Sequence, residues 1–368
     1  MRADVIVLGG GIIGCALAEE LSRRGRRVVV LERGAIGAEA STAAAGILAA
    51  QMDIPQPGPF FELCQRARAL YPQWVRHLER RSGLSVGYHG DGILYLAATA
   101  PEEAAMEARA GWQRRLGLRV ERWTIREVRR REPAVDGRFR CGWHFPTEAQ
   151  VDNVRLMQAL AVAARKAGVT FRERTAVRRV LVRGGRVAGV ATARGRMSAP
   201  VVVNCLGSWA NMGGAFPVPL PVEPARGQML AFRGSRGLVR HAVMSERAYV
   251  VQRRDGRLLV GSTIERAGFE KTLTLEGMHA ILAGLRRMST ALASCCFLEA
   301  WAGFRPRTPD DLPILGQTPI EGLYVATGHF RHGILLAPIT ARVMAGLTTL
   351  AEQPSFDLAP FSWKRFLD

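Results

Sequence analysis

The stretch DVIVLGGGIIG, residues 4–14, read together with Glu32, decides the fold. Val5 to Leu8 is an unbroken apolar run, the pattern of a parallel strand buried on both faces. Gly9, Gly11 and Gly14 then fall on the GxGxxG spacing. Gly9 allows a tight turn, Gly11 leaves no side chain between backbone and a pyrophosphate, and Gly14 lets the next helix pack closely on the sheet. That helix is expected over residues 12–24, ending at Gly25, with its N-terminal amides facing the phosphates. A second strand, RVVVLE at 27–32, puts Glu32 where a carboxylate accepts from ribose hydroxyls. Strand, turn, helix, strand and terminal acid follow in register within about 30 residues, as a dinucleotide site requires.

Beyond this unit, GAEASTAAAGILAA at 37–50 is small and polar before it turns apolar. Ser41 and Thr42 can cap a helix or bond a phosphate, and Ala43 to Gly46 permit close approach to a flat ring. Residues 60–82 carry helical periodicity, with Phe61, Leu63, Leu70, Trp74, Val75 and Leu78 as the expected buried face. Residues 83–97 read as strand, turn, strand, with His89 a solvated loop residue, and a helix runs from Pro101 to about Gly117. A helix at 151–167 leads into a strand at 169–177 that returns to the nucleotide sheet. Residues 178–207 read as a small β-meander around Gly184-Gly185 and then a buried strand, Val201 to Cys205, with Gly207 marking a close approach at its end. A meander in this place favours FAD over NAD.

From Pro217 to about Trp301 the pattern is antiparallel, with Asp255-Gly256 as a hairpin turn. The chain then returns through residues 300–316 to the strand LYVAT and the turn GHFRHGILLAP. This last turn repeats the logic of the first. A strand runs into Gly328, and a helix starting near Gly333 aims its amides at a ligand, placed to stabilise negative charge. The expected fold is α/β: a Rossmann-like FAD-binding domain with a β-meander, from residues 1–85, 146–216 and 302–368, plus an antiparallel-sheet substrate-binding domain (α+β), from 86–145 and 217–301.

The 368 residues, 48% of them hydrophobic, suffice for two interlocked cores. No apolar run reaches the ~18–20 residues that span a bilayer, and no leader is read before the first strand, so a cytoplasmic protein is expected. The net charge of +19 comes almost wholly from arginines spread along the chain, which argues against nucleic-acid binding. Both genome composition and thermal adaptation produce such a balance. The six cysteines form no CxxC and no cluster with metal-ligand spacing, so no metal is expected. The vicinal pair Cys295-Cys296 reads as buried reduced thiols.

Together, GGGIIG with Glu32, STAAAGIL, PARGQML, RLLVGST, AGFRPRTPDDLPILG and GHFRHGILLAP resemble the D-amino-acid oxidase family of flavoproteins, above all its glycine oxidase branch. The resemblance covers nearly the whole chain. It implies noncovalently bound FAD and oxidation of a small amine next to a carboxylate. By the resemblance, Arg305 holds the substrate carboxylate in a two-pronged pair, Tyr249 donates to the same carboxylate, and Arg331 sits beside flavin and substrate. The cofactor positions it implies, with those of the glycine turns, are Gly9, Gly11, Ile12, Ile13, Gly14, Glu32, Arg33, Ala40, Ser41, Thr42, Ala45, Gly46, Ile47, Val177, Gly207 and Gly328. The set continues through His329, Phe330, Arg331, His332, Gly333, Ile334 and Leu335. Val177 is expected near the adenine, while His329 and His332 read as backbone-positioning residues rather than proton shuttles.

Arg247 stands where some glycine oxidases carry histidine, and Ile264 where a methionine is expected, so substrate preference is left open. The implied reaction is hydride transfer from the α-carbon of glycine, sarcosine or D-alanine to flavin N5. An imine forms, then glyoxylate or another 2-oxo acid, ammonia and, with oxygen as acceptor, hydrogen peroxide. Thiazole-synthesis enzymes of thiamine biosynthesis are the implied partners, and a homo-oligomer the implied state. The alternatives are a flavin dehydrogenase passing electrons to a membrane quinone, peripherally associated through the basic surface, and a noncatalytic flavin-binding subunit.

Overall fold

The computed structural model describes residues 3–136, 138–349 and 356–367. Val5–Leu8 (β1) is buried along its whole length, as is Val28–Leu31 (β2) beside it. Alternate side chains of these strands serve two different cores. Val5, Val7, Val28 and Val30 pack with the helices, whereas Ile6, Leu8, Val29 and Leu31 pack with the β-meander. Burial on both faces is why the strands read as continuous apolar runs.

Six strands make this sheet, in the order Ile314–Gln317, Leu323–Thr327, Val201–Asn204, β1, β2 and Thr170–Arg172. All neighbours are parallel except Ile314–Gln317 against Leu323–Thr327. Helix Ile12–Arg23 (α1) follows β1 and stops before Gly25, whose φ of 81° lies in the left-handed region that glycine tolerates. Helices Pro59–Ser82, Asn153–Lys166 and Gly333–Thr349 complete the same layer. Of the face expected on Pro59–Ser82, Phe61, Leu63, Val75 and Leu78 are buried, while Leu70 and Trp74 are partly buried against them. The opposite layer is the meander Val177–Arg183, Arg186–Thr192 and Gly195–Ser198.

The second sheet has eight strands, in the order Cys296–Arg307, Glu223–Arg233, Arg257–Gly261, Tyr249–Gln252, Ala242–Met244, Ile93–Ala97, Cys141–Phe145 and Glu121–Thr124. It is antiparallel apart from one parallel pair, Ala242–Met244 with Ile93–Ala97, which joins the two chain excursions. The hairpin at Asp255-Gly256 links Tyr249–Gln252 to Arg257–Gly261.

Three expectations need correction. Residues 83–97 contain one strand, Ile93–Ala97, because the preceding backbone pairs with residues 150–152 by single bridges instead of with its own continuation. A helix, Leu275–Met288, interrupts the region read as all strand; it buries Ile281, Leu285 and Met288. Cys295 is only partly buried and Cys296 is exposed, since they open the edge strand Cys296–Arg307; both thiols are free.

Candidate active site

Beyond the ends of β1 and Val201–Asn204 lies a cavity of about 350 Å³, at the crevice where open parallel sheets bind ligands. Gly9 has φ 100°, and a Cβ there would stand 2.5 Å from the carbonyl oxygen of Cys205, so only glycine fits. A Cβ on Gly14 would stand 2.0 Å from the carbonyl oxygen of Gly9, which fixes α1 tightly against the turn. Gly11 caps α1 without a side-chain hydrogen bond, and the Ile12 N–H donates to Ser41 Oγ at 2.9 Å. The Glu32 carboxylate accepts from the N–H groups of Gly10 and Gly34, both at 2.8 Å. Its remaining lone pairs stay available at the cavity rim.

The wall of small residues is held by a short antiparallel pairing of Ile47–Leu48 with Ala149–Gln150 and, before it, by side chains. Asn153 Nδ2 donates to the carbonyls of Ser41 and Thr42, both at 2.9 Å, and Trp301 Nε1 to that of Ala43 at 3.0 Å. Arg253 donates to the carbonyls of Val151 and Ala45 at 2.9 and 2.8 Å, and burial lowers its pKa to about 10. Ala40, Ser41, Ala45, Gly46 and Ile47 therefore line the cavity as a wall of mostly small residues fixed from behind.

At the other end, Arg305 Nη1 donates to the Thr263 carbonyl at 3.0 Å and Nη2 to Ser262 Oγ at 2.6 Å. Burial lowers its pKa, and no carboxylate pairs with it among the described residues. A Cβ on Gly227 would stand 2.1 Å from Arg305 Nη1, so that glycine makes the room for the guanidinium. The Tyr249 hydroxyl donates to Met229 Sδ at 3.0 Å, a weak acceptor that a carboxylate would displace. Arg247 and Ile264 line the same end.

Arg331 Nη2 lies 2.8 Å from Asp53 Oδ1, and His332 Nε2 lies 3.2 Å from Asp53 Oδ2. Burial pushes the Asp53 carboxyl up, but His332 and Arg331 outweigh it and bring the pKa down to about 2. His329 is fully buried against Thr340 at 3.1 Å, and burial lowers its pKa to about 3, so it is a neutral packing residue. Phe330 adopts φ 42°, a costly conformation for an aromatic residue, held by its N–H on the Pro306 carbonyl at 2.9 Å.

The cavity thus gathers Gly9, Gly11, Ile12, Ile13, Glu32, Arg33, the wall residues, Gly207, Tyr249, Arg305 and the run His329 to Ile334. Five expected positions lie outside its lining. Gly14 is packed beneath the first turn, and Gly328 beside Thr308 forms the second turn. Thr42 Oγ1 donates to the Gly37 carbonyl at 2.8 Å. Val177 starts the meander against its core, and Leu335 is buried in the helix layer.

Four positions that sequence reasoning does not single out stand at the cavity or behind it: Asp53, Trp209 and Gly227 line it, and Glu148 lies outside the lining. Trp209 carries the Arg33 guanidinium 3.7 Å above its ring, a contact between residues far apart in sequence. Glu148 is fully buried; burial pushes its carboxyl from the ordinary 4.5 up to about 8, against the N–H groups of Gln51 and Met52 and the charge of Arg68, with Asp53 adding to the rise.

A raised folded-state pKa gives stability that is complete below pH 4.5 and lost as pH rises through about 8. Asp53, with its lowered pKa, acts oppositely and only in acid, losing its contribution as pH falls through about 2. Glu148→Gln is therefore expected to flatten the decline in stability between pH 4.5 and 8 and to melt above the wild type at pH 8. Thermal unfolding across that range checks this; parallel curves for the two proteins would refute it.

The glycine cradle, the α1 terminus, the wall of small residues and the second turn at Gly328 fit an extended dinucleotide with a planar ring system. The comparisons agree. The family model for FAD dependent oxidoreductases matches residues 4–347. The chain is 38% identical to the bifunctional protein ThiO/ThiG of Synechocystis over 99% of its own length and 54% of that protein's, so it spans about half the length of that relative. It is 34% identical to the glycine oxidase of Geobacillus kaustophilus, covering 100% of this chain and 98% of that one. The crystal structure of glycine oxidase from that organism superposes with a TM-score of 0.96 over 100% of both chains at 33% identity. The chain belongs to the D-amino-acid oxidase family of FAD-dependent oxidoreductases.

Proposed function

We propose that the chain oxidises glycine, or a comparably small amino or N-methyl amino acid such as sarcosine or D-alanine, with noncovalent FAD and with oxygen as acceptor. The observation that carries this reading is Arg305: a partly buried guanidinium at the cavity end, held by two neutral acceptors and lacking a counter-ion among the described residues. A partly desolvated cation without a counter-ion favours an anion beside it, and a substrate carboxylate matches the guanidinium fork. Tyr249, three strands across the same sheet, adds a second donor. With the carboxylate fixed there, the amine and α-carbon point into the cavity between the alanine wall and the GHFR turn.

FAD, when bound, would supply a two-electron acceptor for the α-carbon hydride that oxygen can reoxidise. The protein contributes orientation and exclusion of water, and no side chain is needed as base once the amine is neutral. The overall change is glycine, oxygen and water to glyoxylate, ammonia and hydrogen peroxide. Gly9, Gly11, Glu32 and Ser41 would hold the adenine, ribose and pyrophosphate portion, and residues of the run His329 to Ile334 would face the ring system. The resemblance to the glycine oxidase branch extends the proposal to imine supply for thiamine thiazole synthesis.

The test is a substrate panel of glycine, sarcosine and D-alanine with oxygen consumption and peroxide followed together. Peroxide formation with one of the three is expected. Turnover only with quinones or artificial acceptors would overturn the oxidase reading, and no turnover with any acceptor would favour a binding subunit.

A further inference from the structure

We propose that Glu148, which lies outside the cavity lining, is a positioning residue that holds the turn at residues 50–53 and through it sets Asp53 against Arg331 and His332. The proposal rests on the reading that Arg331 faces the substrate.

The turn is unusual in how its backbone is satisfied. Ala50, Gln51 and Met52 are buried, yet they belong to no helix or strand, so their polar groups need partners from elsewhere. Side chains supply them. Gln65 Nε2 donates to the Ala50 carbonyl and Gln113 Nε2 to the Gln51 carbonyl, both at 2.9 Å, and Arg109 Nη1 donates to the Met52 carbonyl. The carbonyl side is thus shared among several residues. The amide side is not: Glu148 Oε1 alone accepts from the N–H groups of both Gln51 and Met52, the latter at 3.2 Å.

Asp53 is the next residue, and its two oxygens face Arg331 and His332 at 2.8 and 3.2 Å. A shift of the 51–52 amides therefore moves the carboxylate that locates both cavity residues. Glu148 Oε2 has no partner among the described residues, so the carboxyl is committed to the turn through one oxygen. The pKa directions fit this division, with a protonated Glu148 anchoring and a charged Asp53 pairing.

The experiment compares Glu148→Ala, Glu148→Gln, Asp53→Asn and the double variant Glu148→Ala/Asp53→Asn as FAD-loaded proteins. Hydrogen exchange of residues 50–54 and steady-state kcat and KM for glycine are the readouts. Glu148→Ala is expected to lose protection at the amides of Gln51 and Met52 and to raise KM by about tenfold or more at near-normal FAD content. Glu148→Gln, whose amide oxygen accepts the same two N–H groups, is expected to rescue both. The double variant should be no worse than Asp53→Asn alone, because the two residues act in one line.

Unchanged protection in Glu148→Ala, or losses that multiply in the double variant, would overturn the proposal. Lost protection with unchanged KM in both Glu148→Ala and Asp53→Asn would instead sink the placement of Arg331 at the substrate, while leaving the link to the turn intact. Should Glu148→Ala fail to fold, Glu148→Asp, one methylene short of the two amides, carries the same expectations.

Discussion

Arg305→Ala is expected to raise the glycine concentration needed for turnover by between about thirtyfold and several thousandfold, equivalent to about 2–5 kcal/mol, while the purified protein stays yellow. The size of the effect follows from the geometry. The guanidinium is oriented before substrate arrives, by Thr263 and Ser262, so little entropy is lost in using it. Gly227 leaves the space it occupies. Alanine would also leave the Ser262 hydroxyl and the Thr263 carbonyl without their donor. Arg305→Lys should recover only part of the loss, because an ammonium cannot grip both carboxylate oxygens in a fixed fork. Flavin content should hold, since the dinucleotide grip lies at the opposite end of the cavity. Unchanged substrate affinity in Arg305→Ala would remove the clamp from the account.

Gly11→Val is expected to yield folded but colourless protein. The backbone of Gly11 is extended, with φ −75° and ψ −177°, so valine meets no conformational penalty there. The effect is one of space. A Cβ at this position already stands 3.2 Å from Ser41 Oγ, and the two branches of valine would push aside the hydroxyl that accepts the Ile12 N–H and fill the approach to the α1 terminus. The stability that bound cofactor adds should vanish with it, so adding FAD should raise the melting temperature of the wild type and not of the variant. A yellow Gly11→Val protein with unchanged FAD affinity would remove the pyrophosphate role from this turn.

Much of the fold was legible because burial on two faces leaves a simple trace. β1, β2, Val201–Asn204 and Leu323–Thr327 read as unbroken apolar runs, and the glycines at 9 and 328 punctuate them where backbone conformation demands it. Arg305 and Tyr249 were legible only through the motifs around them. Asp53 was not: it sits in an aperiodic turn, and its significance comes from Arg331 and His332, far along the chain. Glu148 was hidden for the same reason, since its partners are backbone amides that leave no mark in sequence. Helix Leu275–Met288 had a readable face at Ile281, Leu285 and Met288, but its first residue, Leu275, is 82% exposed and blurs the pattern. Thr42 and Val177 were read from the motifs around them; their side chains serve a local turn and the meander core.

The glycine arm of the substrate panel tests the central claim most directly, when oxygen uptake, peroxide and glyoxylate are measured in one vessel. Equal amounts of oxygen consumed and of peroxide and glyoxylate formed, abolished at low glycine in Arg305→Ala, are the expected result. Glycine that leaves the flavin colour unchanged under anaerobic conditions, with no peroxide in air from any small amine, would contradict it.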